Sequence, residues 1–334
     1  MRRLPIFFLI DVSESMVGVP ISNVNDGIKI IITNLRSNPM ALETAYISII
    51  IFAGKVKTLI PLTELLHFNP PNLPIGGGTA LGHAMNFLMD EIENQVQKTT
   101  YEIKGDWKPV IFLLTDGSPT DDVTSATQRW NSHFKNKANL VAISIGNQAD
   151  LSTLTKFTDS VLIFNDTDPK YYSEFFQWVS ASIETKSMNV VVSGNDDFQL
   201  PKLNEKILHK EEVKEKSTGK HDERFAILLS RCKKSKKPYL MKYLKESSTK
   251  YFADGGHIIT EEYFNLTPKG HNLTVNSQLL GSIIPCPSCG TAGFAQCPCG
   301  KLFCFDREGN HRCPWCNQEN YYSIGDFDIT RTQG

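Results

Sequence analysis

The stretch Leu4-Pro5-Ile6-Phe7-Phe8-Leu9-Ile10-Asp11-Val12-Ser13-Glu14-Ser15 decides the fold. It opens as an unbroken apolar run and ends in a carboxylate and two hydroxyls at alternating positions. A short continuous apolar run bounded by polar residues is the pattern of a strand buried on both faces. Asp11, Ser13 and Ser15 then form an all-oxygen cluster at its end. Hard divalent cations such as Mg²⁺ (or Mn²⁺) take oxygen ligands and keep several waters, so such a site needs few protein groups. Taken alone, D-x-S-x-S equally suits a strand-to-helix turn, because Ser and Asp cap helices.

Outward from this stretch, strand-like and helix-like patterns alternate to about residue 186. Ile21–Leu35 carries apolar residues at helical spacing, and Thr44–Ala53 reads as a second strand. Lys55–Pro61 follows a tight turn at Gly54, which predicts an antiparallel hairpin at a sheet edge. Thr79–Val96 is helical, Pro109–Leu114 a buried strand, Asp121–Lys137 amphipathic and Leu140–Ile145 a strand. Leu151–Phe157, Val161–Phe164 and Pro169–Ile183 add helix, strand and closing helix. The alternation predicts an α/β fold with a doubly wound, mostly parallel sheet, Rossmann-like in layout. Ligands of such sheets sit beyond the carboxyl ends of the strands. Gly76-Gly77-Gly78-Thr79 and Thr115-Asp116-Gly117 place a further hydroxyl and a further carboxylate at such ends. Thr79 and Asp116 thus join Asp11, Ser13 and Ser15 as candidate ligands.

Beyond residue 186 the periodicity breaks. Asn189–Val192 reads as a strand, Asn204–Arg224 as a charged exposed linker, and Phe225–Leu229, Tyr239–Tyr243 and His257–Ile259 as short strands. The basic run from Arg231 to Lys237 reads as a solvated hairpin loop, since no aromatics interleave it. Three segments are expected: 1–186, 187–282 and 283–334.

Seven of the eight cysteines lie between Cys286 and Cys316. Cys286-Pro287-Ser288-Cys289-Gly290 and Cys313-Pro314-Trp315-Cys316-Asn317 have the form of zinc knuckles, with Gly or Asn where the chain turns at positive φ. Cys286, Cys289, Cys313 and Cys316 are therefore expected to close one tetrahedral, structural zinc site in a small β-rich, zinc-ribbon-like domain. Cys297, Cys299, Cys304 and His311 are candidates for a second zinc. Alternatively Cys297 and Cys299 belong to the first site, or these thiols are simply packed. Clustered thiols without a leader-like segment predict a reducing, cytoplasmic setting. The net charge of −1 on 334 residues gives no global pull toward nucleic acid or membrane, and no apolar stretch is long enough to span a bilayer.

The pattern of Asp11, Ser13, Ser15, Thr79 and Asp116 resembles the metal-ion-dependent adhesion site (MIDAS) of von Willebrand factor A (vWA) domains. With the segment Arg231–Leu240 and the final Cys313-Pro314-Trp315-Cys316, the chain resembles the TerY family of tellurite-resistance proteins. The resemblance implies that Ser13, Ser15 and Thr79 lie near the ion while Asp11 and Asp116 act largely through water. It implies a sixth position filled by an acidic side chain of a partner. It also implies a bacterial, cytoplasmic protein of a tellurite-resistance or stress-response system, neighbouring a protein kinase and a PP2C-type phosphatase.

The expected function is that of a non-enzymatic, metal-dependent protein-binding or scaffold module whose partner carries an acidic or phosphorylated group. A metal-dependent phosphoesterase is the first alternative, but it lacks a placed general base; His83 lies one turn beyond Thr79. A zinc-ribbon nucleic-acid binder is the second, and the charge balance speaks against it.

Overall fold

In the computed structural model the described residues are 2–145, 150–164, 169–192, 194, 196, 198, 200–201, 208–209, 224–245, 250–268 and 273–332. They pack as two compact units. The first comprises Met1–Val12, Val19–Leu73 and Thr79–Thr218; the second comprises Ser13–Gly18, Pro74–Gly78 and Gly219–Gly334.

The first unit is built on β1 (Leu4–Asp11), β2 (Ala45–Phe52), β3 (Val56–Glu64), β4 (Val110–Thr115), β5 (Asn139–Ile145), β6 (Val161–Phe164) and β7 (Leu208–His209). They form one sheet in the order β3-β2-β1-β4-β5-β6-β7. β2, β1, β4, β5 and β6 are parallel; β3 and β7 are antiparallel edges. The expected edge hairpin is therefore present. All eight residues of β1 are buried, as a strand covered on both faces requires. On one face Phe7, Leu9, Ile111 and Leu113 pack against Leu81, Met85 and Leu88 of α3 (Leu81–Gln95), together with Trp130 and Phe134. Ile6, Phe8 and Ile10 alternate with these, face the other way and are equally buried.

Before α3 in the chain come α1 (Val19–Ser37) and α2 (Pro39–Thr44); after it come α4 (Thr124–Arg129), α5 (Leu151–Leu154) and α6 (Pro169–Val192). α4 runs on into a π-helical turn at Trp130–Phe134. The structure corrects two expectations. Asn189–Val192 is not a strand but the last turn of α6, whose Val190 is buried; burial of the helix face outweighs the β preference of three valines. Of the expected linker at 204–224, only Leu208–His209 and Arg224 are among the described residues, and the first two pair with β6 as an edge strand.

The second unit contains β8 (Phe225–Arg231), β9 (Pro238–Lys245), β10 (Tyr251–Ile258), α7 (Glu262–Leu266), β11 (Thr274–Asn276), β12 (Phe294–Gln296), β13 (Leu302–Cys304), β14 (Gly309–Arg312), β15 (Glu319–Tyr322) and β16 (Asp328–Thr330). β10-β9-β8-β13-β12 form one sheet. The strands before the cysteine module thus share a sheet with strands inside it. The link is the parallel pair β8–β13, with Leu302 opposite Ser230 and Phe303 opposite Arg231.

Packing of α1 on α6 leaves no room at Gly27, where a Cβ would lie 2.1 Å from the Phe176 ring. Gly27→Ala should therefore destabilise the protein by about 2 kcal/mol through overpacking, despite alanine's better helix propensity. Chemical denaturation checks this; an unchanged midpoint would contradict the packing.

Candidate metal centres

The oxygen cluster begins where β1 ends. β1 lies between β2 and β4, so Asp11 is fully buried. A buried carboxylate needs donors, and Thr115 Oγ1 donates to Asp11 Oδ2 at 2.6 Å. Thr115 ends β4, which puts the half-buried Asp116 at the carboxyl end of the neighbouring strand. Val12 N–H donates to Phe52 O at 2.8 Å and fixes the chain's exit from β1. Thr79 is buried and held from two sides: its N–H donates to Thr120 Oγ1 at 3.0 Å, and its carbonyl accepts from Thr120 N–H at 2.9 Å.

Ser13 and Ser15 belong to the second unit. Both are buried, and their hydroxyl oxygens lie 2.9 Å apart. The candidate donors Asp11, Ser13, Ser15, Thr79 and Asp116 are two carboxylates and three hydroxyls, all oxygen, and four of the five are buried. That chemistry fits a hard divalent cation and does not suit a soft one. His83 is exposed on α3, with its backbone N–H tied to Asp121 Oδ2 at 2.8 Å, and supplies no placed base.

The thiols form two sets of four. Cys232, Cys286, Cys289 and Cys304 make one; Cys297, Cys299, Cys313 and Cys316 make the other, and within each set all sulfurs lie within 4.8 Å of one another. The Sγ–Sγ separations are 3.7 Å for Cys289–Cys304, 3.6 Å for Cys297–Cys316 and 3.9 Å for Cys299–Cys313. A tetrahedral zinc with bonds of 2.3 Å requires about 3.8 Å between sulfurs. Both sets fit.

This pairing differs from the one read off the sequence. Cys286 and Cys289 are not brought to Cys313 and Cys316, and Cys297, Cys299, Cys304 and His311 do not come together. The knuckles separate because each set anchors its own small core. Cys232, Cys286 and Cys304 pack with Tyr239, Met241 and Leu302, whereas Cys297 and Cys313 pack with Phe303, Phe305 and Tyr322. His311 has both ring nitrogens engaged: Nδ1 accepts from Lys233 Nζ at 2.5 Å, and Nε2 donates to Arg307 O at 2.7 Å.

Cys232 is the ligand that sequence reasoning missed, although the signal was there. Lys236 N–H donates to Cys232 O at 3.0 Å, as Gly290 N–H does to Cys286 O and Asn317 N–H to Cys313 O. Lys236 also takes φ 62°, alongside Gly290 at 74° and Asn317 at 64°. Cys232-Lys233-Lys234-Ser235-Lys236 is therefore a knuckle with Ser235 in place of its second thiol. The β8–β13 register then sets Cys232 beside Cys304, and Lys233 N–H donates to Cys304 Sγ at 3.1 Å.

The electrostatics favour a bound cation. Burial pushes the Cys289 thiol up, yet hydrogen bonds from Thr291 and the neighbouring thiols outweigh it and hold Cys289 at about 6. Burial likewise opposes Cys297, but the Cys299 N–H and the Tyr322 hydroxyl bring it to about 7. Burial and adjacent thiols push Cys299 up to about 12 and Cys304 well above its ordinary value. Cys289 and Cys297 thus give up their protons most readily, whereas Cys299 and Cys304 need a bound cation to do so.

Residues 6–178 match the von Willebrand factor type A domain, and residues 222–334 match the TerY-C metal binding domain. The chain belongs to the von Willebrand factor type A family. Joined to its TerY-C domain, it has the domain composition of the TerY family. No curated protein matches the chain. Solved structures similar to it include a von Willebrand factor type A protein from Catenulispora acidiphila, 16% identical over 55% of this chain and 43% of that one, at a TM-score of 0.41. Proximal thread matrix protein 1 from the mussel byssus, with a zinc-occupied MIDAS motif, is 19% identical over 55% and 48%, at 0.40. BatB from Bacteroides thetaiotaomicron is 13% identical over 55% and 99%, at 0.37. The chain spans less than half the length of the first two.

Within the TerY-C domain, Cys232→Ala should lower bound zinc from about two to about one per chain, because three thiols leave a tetrahedral site open. His311→Ala should leave the zinc content unchanged. Elemental analysis of both variants decides the pairing; the reverse pattern would overturn it.

Proposed function

We propose that the chain is a non-enzymatic, cation-dependent protein-binding module of a tellurite-resistance or stress-response system. In this reading Asp11, Ser13, Ser15, Thr79 and Asp116 hold Mg²⁺ or Mn²⁺. The observation that carries it is the buried Asp11 carboxylate, fixed by Thr115 at the carboxyl end of a central parallel strand, where the chain runs on into the paired Ser13 and Ser15 hydroxyls.

When bound, the ion supplies a concentrated positive charge on which one carboxylate or phosphate of a partner can be recognised. Thr115 does not ligate; it holds the lone pairs of Asp11 in one orientation. Thr120 does the same for the backbone of Thr79 through two hydrogen bonds. Five oxygen side chains with no placed base suit binding better than turnover. A protein kinase and a PP2C-type phosphatase of the same system are the partners that the TerY resemblance suggests, in the cytoplasm. Eight cysteines without a disulfide, gathered into two metal-sized sets, agree with a reducing compartment. Among the described residues no helix is long and apolar enough to cross a membrane. The two cysteine sets hold zinc and keep the TerY-C domain folded, a contribution on the order of 10 kcal/mol for each structural zinc.

Two measurements test this reading. A pull-down from the source cell should recover a partner with wild type in Mg²⁺ but not in EDTA at a dose that leaves zinc in place, and not with Asp11→Ala. A partner retained in all three conditions would contradict it. Thr115→Val, which removes only the donor to Asp11, should weaken Mn²⁺ binding about 10-fold in a titration followed by electron paramagnetic resonance.

A further inference from the structure

The second unit includes two short segments of the vWA sequence, Ser13–Gly18 and Pro74–Gly78, packed with residues of the TerY-C domain. Their contacts are specific. The side chain of Glu14 is fully buried, and Tyr263 Oη donates to Glu14 Oε1. Burial, followed by the Glu14 charge, raises the Tyr263 phenol well above its ordinary value, so it stays protonated and remains a donor. Lys242 is buried on β9 and donates through Nζ to Ser15 O at 2.8 Å and to Val17 O at 3.4 Å. Gly77 N–H donates to Thr267 Oγ1 at 2.9 Å, and a Cβ at Gly77 would lie 2.7 Å from Thr267 Cγ2 and 3.3 Å from Glu14 Oε1. Gly78 follows at φ +85° and leads directly into Thr79.

Three residues, from β9 and from α7 and its C-terminal flank, thus fix the backbone that carries Ser13 and Ser15 and the backbone that delivers Thr79. Lys242 Nζ, which also lies 3.7 Å from Asp254 Oδ2, and the buried Glu14 carboxylate are charges placed against two short loops, where burial is costly unless each group is held by specific partners. Hydroxyl ligands are neutral and weak, so their contribution to a cation depends on being held in place beforehand.

We propose that Lys242, Tyr263 and Thr267 are positioning residues for the Ser13 and Ser15 hydroxyls, so that the TerY-C domain sets how these two ligands are offered to the cation. The inference rests on the cation-binding reading above. By linkage, an ion at the motif and the order of these contacts stabilise each other. The TerY-C domain is then a working part of the vWA site as well as a metal-binding appendage.

The test uses the full chain and Mn²⁺ alone. Wild type, Asp11→Ala, Tyr263→Phe, Lys242→Met and Thr267→Val are titrated with Mn²⁺ by electron paramagnetic resonance, and water-proton relaxation counts the waters on the bound ion. Zinc content and thermal unfolding are recorded beside them. Tyr263→Phe removes one hydroxyl and is the mildest probe. Tyr263→Phe and Lys242→Met should each weaken Mn²⁺ about 10-fold and add water to the ion as a serine hydroxyl is lost, with zinc retained. Thr267→Val should act in the same direction. Affinities and hydration equal to wild type in all three, with Asp11→Ala still losing the ion, would overturn this inference and leave the cation site standing. Binding unaffected by Asp11→Ala would instead remove the cation site, and this inference with it.

Discussion

A carboxylate at the end of a central strand cannot be buried unless something answers its charge. Asp11 is in that position because β1 has parallel neighbours on both sides. Thr115 answers one oxygen, and the parallel register with β4 makes that contact possible, since Ile10 stands opposite Leu114 and the two chains end together. Nearly everything about the vWA metal motif follows. Asp116 follows the end of the flanking strand β4, Ser13 and Ser15 follow β1 itself, and Thr79 lies just before α3, held by its two hydrogen bonds with Thr120. A buried oxygen cluster of this kind is expensive to assemble without a cation and inexpensive with one.

The TerY-C domain rests on a different constraint. Its cores are small, and each is built around one set of four thiols. Because the sets interleave along the chain, neither can close until distant segments have met: 232 with 304 through β8–β13, and 297 with 316 across β13 and β14. Trp315 sits at the junction, with the Arg231 guanidinium 3.9 Å and the Lys301 ammonium 4.5 Å from its ring centre. Arg231 precedes a ligand of one set, and Trp315 lies between two ligands of the other. The cations also offset the negative charge of four thiolates around zinc.

The alternation of strand and helix, the antiparallel edge and the position of Asp11 and Asp116 at strand ends were legible in the sequence because they depend on local pattern: period, turn chemistry and strand ends. The thiol pairing was not. Knuckles were recognisable one at a time, but which of them share a metal depends on strand pairing between residues some seventy positions apart. Cys232 was hidden by its neighbours. A basic loop reads as solvated, and only the backbone turn at Lys236 reveals the knuckle beneath it. The misread end of α6 has the same origin, since three successive valines favour a strand until tertiary burial decides otherwise. The contacts of Glu14, Ser15 and Gly77 with Tyr263, Lys242 and Thr267 had no local signature at all.

The most direct measurement is anomalous diffraction at the manganese and zinc edges from crystals of the full chain grown with Mn²⁺. The account predicts one manganese peak among Asp11, Ser13, Ser15, Thr79 and Asp116, and two zinc peaks, one within Cys232, Cys286, Cys289 and Cys304 and one within Cys297, Cys299, Cys313 and Cys316. No manganese at the oxygen cluster, or a single zinc shared by Cys286, Cys289, Cys313 and Cys316, would contradict it.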